Sequence, residues 1–368
     1  MTFEPMRCWA EIELAALLHN ARVARDKTGG SAGLLAVVKA NAYGHGLAGV
    51  VKALADEAES FGVANLEEAI AVREAAPDRP VMIFGPALPS ERREIVDRGF
   101  IASVSCVEEA EAFASPGSTV PARLNLVVDT GMGRMGCRED GAVVFLHQVF
   151  NLANVEVHSV STHLPSADED AAFTRKELSS FEQLIGRMRA VVPGDYQVHA
   201  LPSAGVLGFG DSAFDFVRAG LMLYGVSSIP ECQALLRPAL TLKSSVVLVR
   251  DMPAGASISY GRTFITPGAM RVATIGIGYA DGFQRALSNQ GASVLIHGRR
   301  CPLLGRVTMD MIIVDVSHVP NLAAGDEVVL IGRQGNDEIL ATELAARAGT
   351  IAWEIFTGIG TRVRRVYL

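Results

Sequence analysis

From Leu34 to Tyr224 the sequence repeats one unit eight times: a short apolar run, a turn and an amphipathic stretch. The runs are Leu34–Val38, Phe61–Ala64, Val81–Phe84, Phe100–Val104, Ala122–Val128, Val155–Ser161, Gln197–Leu201 and Phe216–Tyr224. Most are rich in β-branched residues and continuous rather than alternating, as parallel strands buried on both faces are. The stretches between them carry helical spacing, clearest where Leu178, Phe181, Ile185, Met188 and Val192 fall on one stripe. Eight such units in about 200 residues predict an N-terminal (β/α)8 TIM-like barrel. An open doubly wound sheet is the alternative, weakened because no G-x-G-x-x-G turn follows the first run.

After Gly225 the texture changes. In Thr274–Tyr279 the residues Ile275, Ile277 and Tyr279 alternate with Thr274, Gly276 and Gly278, the period of a half-buried strand. Val294–Ile296, Ile312–Asp315 and Val328–Ile331 continue the theme, and only Ala341–Ala348 reads as helical. The prolines of Ser-Ile-Pro and Arg-Pro punctuate the change. The expected organisation is therefore a barrel over 1–232 and a mostly β domain over 233–368, two domains being usual for 368 residues.

Charge and cysteine usage narrow the partners. With 33 basic and 40 acidic residues the net charge is −7, so the basic footprint of a nucleic-acid binder is missing. No apolar run approaches the ~18–20 residues of a membrane span, and the start, MTFEPMRCW, lacks the pattern of a secretory leader. Five widely spaced cysteines read as reduced thiols, which predicts a cytoplasmic protein without membrane or nucleic-acid partners.

Barrel enzymes gather their chemistry at the carboxyl ends of the strands. Applied here, that rule collects Lys39, Asp129 with the following TGMGR and its Arg134, Thr162-His163, Ser203, and Arg218 with Gly220. The set is rich in cations and poor in carboxylates. It is no metal site and suits an anionic ligand such as a phosphate ester. Lys39 emerges from an apolar strand end, where burial beside cations favours a neutral, nucleophilic amine suited to Schiff-base chemistry. A lysine snorkelling at the rim of a strand is the plainer alternative.

Around these residues lie VVKANAYGHG, VDTGMGRMG, STHLPSADED, FVRAGLMLYG, SISYGRTF, GYADGF and GRVTMDMIIVDV, in that order. The chain resembles the alanine racemases in all seven, from about residue 7 to its C-terminus. The resemblance implies a fold-type III isomerase that interconverts L- and D-alanine, with pyridoxal 5'-phosphate as a Schiff base on Lys39. D-alanine for peptidoglycan is the implied product. It implies two acid–base groups on opposite faces of the substrate, Lys39 and Tyr260, the latter from the partner subunit of a homodimer. His163, and through it Arg218, would tune Tyr260, and Arg218 would face the pyridine nitrogen. Tyr43, Ser203 and the amides of Gly220 and Leu221 would hold the phosphate. Arg134 would contact the cofactor's phenolic oxygen and the substrate, and the Met309 amide the substrate carboxylate. Asp310 and Tyr279 are implied as supporting residues, Tyr279 on the access route. Asp281 reads as the cap of the GYADG turn.

Three positions depart from the family pattern. Val127 stands where a carbamylated lysine often bridges to the arginine, Trp353 where a tyrosine often contacts the phosphate, and Thr308 where Cys or Ser is commoner. Trp353 retains an indole N–H that can donate to that phosphate. A racemase of broader amino-acid specificity is a close alternative reading, since one methylene in a pocket is worth only about 1–3 kcal/mol. A related decarboxylase is less consistent, because its pyridine nitrogen would meet a carboxylate rather than Arg218.

Overall fold

The structure, a computed structural model, describes residues 6–114 and 120–368. The first five residues of the stretch read for a leader lie outside it. The chain folds into two compact units, one of Ala16–Ala42 with Leu47–Arg237 and one of the described residues up to Ala15 with Tyr43–Gly46 and Pro238–Leu368.

The first unit is a closed barrel of eight parallel strands: Gly33–Val37, Ser60–Val63, Val81–Ile83, Ile101–Val104, Ala122–Asp129, Val155–Ser161, Gln197–Pro202 and Phe216–Ala219. Each pairs with its neighbour in chain order. The last closes on the first, with Arg218 opposite Leu35 and Ala219 opposite Ala36. Each of the eight expected runs contains a strand, but the last, Phe216–Tyr224, is one only to Ala219 and turns into a short 3-10 helix over Leu221–Tyr224, which is just as apolar and buried; Phe61, Val81, Ile101, Leu124 and Val217 are each 1% exposed or less. The predicted stripe on Ala171–Val191 is buried as expected, and Asp170 caps that helix by accepting from the Phe173 amide at 2.9 Å. Inside the barrel runs a satisfied polar layer: Asn125 donates to Ser103 at 3.0 Å and accepts from Ser159 at 2.9 Å.

The second unit is mostly β. A long strand, Leu240–Met252, pairs with Cys8–Ile12, Met270–Ile275 and Glu327–Gln334, and Cys8–Ile12 also pairs with Arg364–Tyr367. Three expectations need correction here. Residues 1–232 do not all belong to the barrel, since Cys8–Ile12 is a strand of the other sheet. The strand expected over Thr274–Tyr279 is Met270–Ile275; Gly276 leaves the ladder, its amide donating to Ser245 instead. Ala341–Ala348 is helical as predicted, but so is Ala352–Thr357, too short to show a period. No helix among the described residues is long and apolar enough to cross a membrane.

Candidate active site

Within the barrel, five strands end in the residues singled out from the sequence. Lys39 lies two positions beyond Gly33–Val37, and Asp129 ends Ala122–Asp129. Thr162-His163 follow Val155–Ser161, Ser203 follows Gln197–Pro202, and Gly220-Leu221 follow Phe216–Ala219. Parallel strands deliver all of them to one mouth.

Arg218 is the floor of that mouth and only 6% exposed. Its Nη1 meets His199 Nδ1 at 2.6 Å and donates to the His199 carbonyl at 3.1 Å. Its Nη2 donates to the carbonyls of Thr162 at 2.7 Å and Ala200 at 2.9 Å, and meets His163 Nδ1 at 3.2 Å. These contacts occupy the two Nη atoms, which leaves the Nε–H without an acceptor among the described residues. No carboxylate pairs with Arg218 among them either. Burial first, then Arg134, lowers its pKa to about 10, so it still carries its proton at neutrality. The charge passes on to its neighbours. Burial and the Arg218, Arg134 and Lys39 charges push His163 down to about 3, and His199 also falls well below the usual range. Both imidazoles are neutral near pH 7.

Lys39 sits in the same field. Burial, then Arg134 and Arg218, lower its pKa, while Glu68 acts the other way. Glu68 was not among the residues picked from the sequence. Its carboxylate accepts from the Ala40 amide at 2.6 Å and the Ala64 amide at 2.9 Å, tying the segment after Lys39 to the end of the next strand. That segment is unusual: Ala40, Asn41, Ala42 and Tyr43 all have φ between 50° and 54°, one turn of left-handed helix. Left-handed backbone is costly for residues with a Cβ, so its supports matter. Asn41 Oδ1 accepts from the Leu47 amide at 2.8 Å. In the second unit, Arg365 Nε and Nη2 donate to the Gly44 carbonyl at 2.9 and 2.8 Å. A Cβ on Gly44 would fall 2.0 Å from the Phe356 carbonyl oxygen, so only glycine fits. Tyr43, which ends the left-handed turn, is buried and its phenol is pushed up to about 12.

Arg134 is carried by a loop that Asp129 organises, accepting from the Gly131 and Gly133 amides at 3.0 Å each. Arg134 itself is exposed and makes no hydrogen bond or ion pair among the described residues. The Ser203 hydroxyl accepts from the amides of Gly220 at 2.8 Å and Met222 at 3.3 Å, leaving its proton to donate elsewhere. The buried Leu221 amide has no acceptor among the described residues.

The second unit carries the remaining candidates. Tyr260 lies at the tip of the hairpin Ser257–Ile258/Phe264–Ile265 and is 70% exposed. Ser259, Gly261 and Arg262 around it have φ of 61°, 71° and 51°, a strained turn that displays the phenol. Met309 and Tyr279, 52% and 41% exposed, come together where the Tyr279 and Ala280 amides donate to the Thr308 and Met309 carbonyls at 3.0 Å each. The Met309 amide has no acceptor among the described residues. Asp281 caps its turn as expected, accepting from the Gly278 amide at 2.9 Å. Arg362, which the sequence did not single out, pairs with Asp281 at 3.2 Å and with Asp310 at 2.9 Å, clamping the two loops together. Thr308 braces its own turn, its hydroxyl donating to the Met311 carbonyl at 2.7 Å. Trp353 is half-buried on the helix Ala352–Thr357, and its indole N–H has no acceptor among the described residues.

Profiles of two families match the chain, the alanine racemase N-terminal domain over residues 12–228 and the alanine racemase C-terminal domain over 239–367. The alanine racemase of Symbiobacterium thermophilum is 40% identical over 100% of this chain and 99% of its own length. That of Halothermothrix orenii is 39% identical over 98% and 96%. Among solved structures, an alanine racemase of Clostridium difficile superposes with a TM-score of 0.93 at 29% identity, covering 100% of this chain and 97% of that one. One from Bacillus anthracis with bound L-Ala-P superposes at 0.91 and 33%, covering 100% and 96%. With the barrel, the lysine at its mouth and both family domains in order along its length, this chain belongs to the alanine racemase family.

Proposed function

We propose that this chain interconverts L- and D-alanine using pyridoxal 5'-phosphate bound through Lys39, with Tyr260 of a second copy opposite Lys39. The observation that carries this reading is the setting of Lys39: a partly desolvated amine at a strand end, biased toward its neutral form by Arg134 and Arg218. A neutral amine can attack a carbonyl carbon and can accept a proton from a substrate α-carbon.

The residues present fit the cofactor. Uncommitted donors point to a phosphorylated, nitrogen-containing ligand: the Ser203 hydroxyl proton, the Leu221 amide and the Arg218 Nε–H. Bound pyridoxal 5'-phosphate supplies an electron-withdrawing ring that makes the α-hydrogen of an attached amino acid acidic. Ser203, the Gly220 and Leu221 amides, the protonated Tyr43 phenol and the Trp353 indole N–H hold its phosphate. Arg218 donates to the ring nitrogen and, keeping its own proton, leaves that nitrogen unprotonated. Arg218 in this place, rather than a carboxylic acid, would temper the electron withdrawal that the ring supplies and so would favour simple return of the proton.

Racemisation needs a proton to leave one face and return to the other. Lys39 handles it on one face and the Tyr260 phenol on the other. Arg134 neutralises the phenolic oxygen of the cofactor, and the Met309 amide holds the substrate carboxylate. The exposure of Tyr260 on a strained hairpin, with Met309 and Tyr279 also exposed on that unit, supports a shared site and a homodimer. Unpaired thiols at Cys8, Cys106, Cys137, Cys232 and Cys301 suit a reducing compartment, and we place the enzyme in the cytoplasm.

The test is to supply the loaded enzyme with L-alanine in deuterated water. The expected product is D-alanine bearing solvent deuterium at its α-carbon, abolished by Lys39→Ala. Activity retained in that variant, or no D-alanine from the unaltered protein, refutes the reading.

A further inference from the structure

Glu177 lies in the second turn of the helix Ala171–Val191, 4% exposed, and the chemistry above makes no use of it. Its Oε1 accepts from the Thr130 hydroxyl at 3.2 Å, whereas Oε2 is buried with no hydrogen-bond partner. Thr130 opens the loop that carries Arg134. Its hydroxyl also meets that of Thr162 at 2.7 Å, and the Thr162 carbonyl accepts from Arg218 at 2.7 Å. A row of side-chain hydrogen bonds thus runs from a buried acid on an outer helix to the segments bearing Arg134 and His163. The contact is close: a Cβ on Gly131 would stand 2.7 Å from Glu177 Oε1 and 3.1 Å from the Phe173 ring.

The charges that act on Glu177 are both carboxylates. Asp129 ends the strand before the loop, and Glu139 accepts from Ser180 at 2.8 Å. Arg138 acts on Asp129 and pairs with Asp140 at 3.5 Å, so it brings no neutralising partner to Glu177.

We propose that Glu177 is a positioning residue for the racemisation site, holding the Thr130–Arg134 loop and setting the polarity of the Thr130–Thr162 hydrogen bond. Each threonine hydroxyl has one proton to give. An ionised Glu177 only accepts, so Thr130 donates to it and Thr162 donates to Thr130. A neutral Glu177 donates to Thr130, which then donates to Thr162 and frees the Thr162 proton for another acceptor. The exchange falls near neutrality, because burial and the two carboxylates raise Glu177 to about 7 against the lowering effect of the Thr130 hydrogen bond. The histidines of the mouth, His163 and His199, stay neutral there and give no such step.

The inference rests on Arg134 and His163 belonging to the site, and the experiment separates the two claims. KM and kcat for L-alanine, and the absorbance of the bound cofactor, are measured from pH 5.5 to 9 for the loaded enzyme. The variants are Glu177→Gln, Thr130→Val and Arg134→Ala. In the unaltered enzyme KM should change about two- to tenfold across neutrality, the range that one ordinary hydrogen bond provides, with kcat changing less. The cofactor absorbance should shift over the same interval. Glu177→Gln and Thr130→Val should each remove that step; if Glu177→Gln does not fold, Thr130→Val alone decides. A step that persists in a folded variant overturns the proposal, as does its absence from the unaltered enzyme. If Arg134→Ala leaves KM unchanged, the underlying site reading falls instead.

Discussion

Removing the Glu68 carboxylate tests whether the lysine segment is held in place from outside. Four consecutive residues with a Cβ in left-handed backbone cost roughly 1–2 kcal/mol each, so the turn Ala40–Tyr43 stores about 4–8 kcal/mol. Glu68 returns part of this through two hydrogen bonds from the Ala40 and Ala64 amides, at 2.6 and 2.9 Å. Hydrogen bonds to a charged acceptor contribute about 1.5–3 kcal/mol each. Ala40 is exposed and Ala64 half-buried, so water replaces some of the loss. Glu68→Ala should therefore destabilise the barrel by about 2–3 kcal/mol, lowering its melting temperature by about 5–10 °C. Glu68→Gln keeps one acceptor and the shape, and should fall between. Glu68 is also the carboxylate that offsets Arg134 and Arg218 at Lys39. Both variants should thus bias that amine further toward its neutral form and alter kcat beyond what the loss of stability explains. Calorimetric melting of the loaded enzyme and a kcat measurement well below the transition are sufficient. Glu68→Ala melting within about 1 °C of the unaltered protein with kcat unchanged would refute the reasoning.

Two further outcomes follow from the same electrostatics. Burial holds His158 near 4 and His163 near 3, whereas an unfolded histidine binds its proton near 6.5. The unfolded chain then gains protons first, so stability is full above about pH 6.5 and is lost as pH falls toward the folded values. Each such histidine should contribute up to about 1.4 kcal/mol per pH unit in that interval; melting between pH 6.5 and 5 should show the decline, and His158→Gln a shallower one. Equal slopes would contradict the assignment. Arg362→Ala should part the Asp281 and Asp310 loops, raising KM for alanine, and should also lower the melting temperature, because Asp281, unlike the exposed Asp310, is buried and loses its cationic partner. An unchanged KM would remove Arg362 from the account.

Much of the barrel was legible in the sequence because a parallel strand is buried on both faces and leaves a continuous apolar run. The same reading missed Cys8–Ile12, whose partners Leu240–Ser244 and Arg364–Tyr367 lie more than two hundred residues away. It also carried the strand at Thr274 too far, since Ile277 and Tyr279 keep an alternating pattern after the ladder has ended in a turn. Lys39, Arg134, His163, Ser203 and Arg218 could be collected blind from strand ends and are brought to one mouth. The left-handed turn after Lys39 left no sign beyond Asn41 and Gly44, as alanine and tyrosine ordinarily avoid that backbone. Glu68, Glu177 and Arg362 look like surface charges in sequence. Their roles depend on an amide, a hydroxyl and two carboxylates that only folding brings within reach.

The central claim, that Lys39 and Tyr260 act on one substrate from different subunits, has a direct test by mixing two inactive proteins. Lys39→Ala and Tyr260→Phe subunits are unfolded together, refolded with the cofactor and assayed for D-alanine. In a hybrid dimer one site combines both substitutions and the other has neither. Random pairing should therefore restore about a quarter of the unaltered activity, half the dimers having one intact site of two. Mixtures that refold to dimers and bind cofactor yet stay as inactive as either parent would contradict the claim.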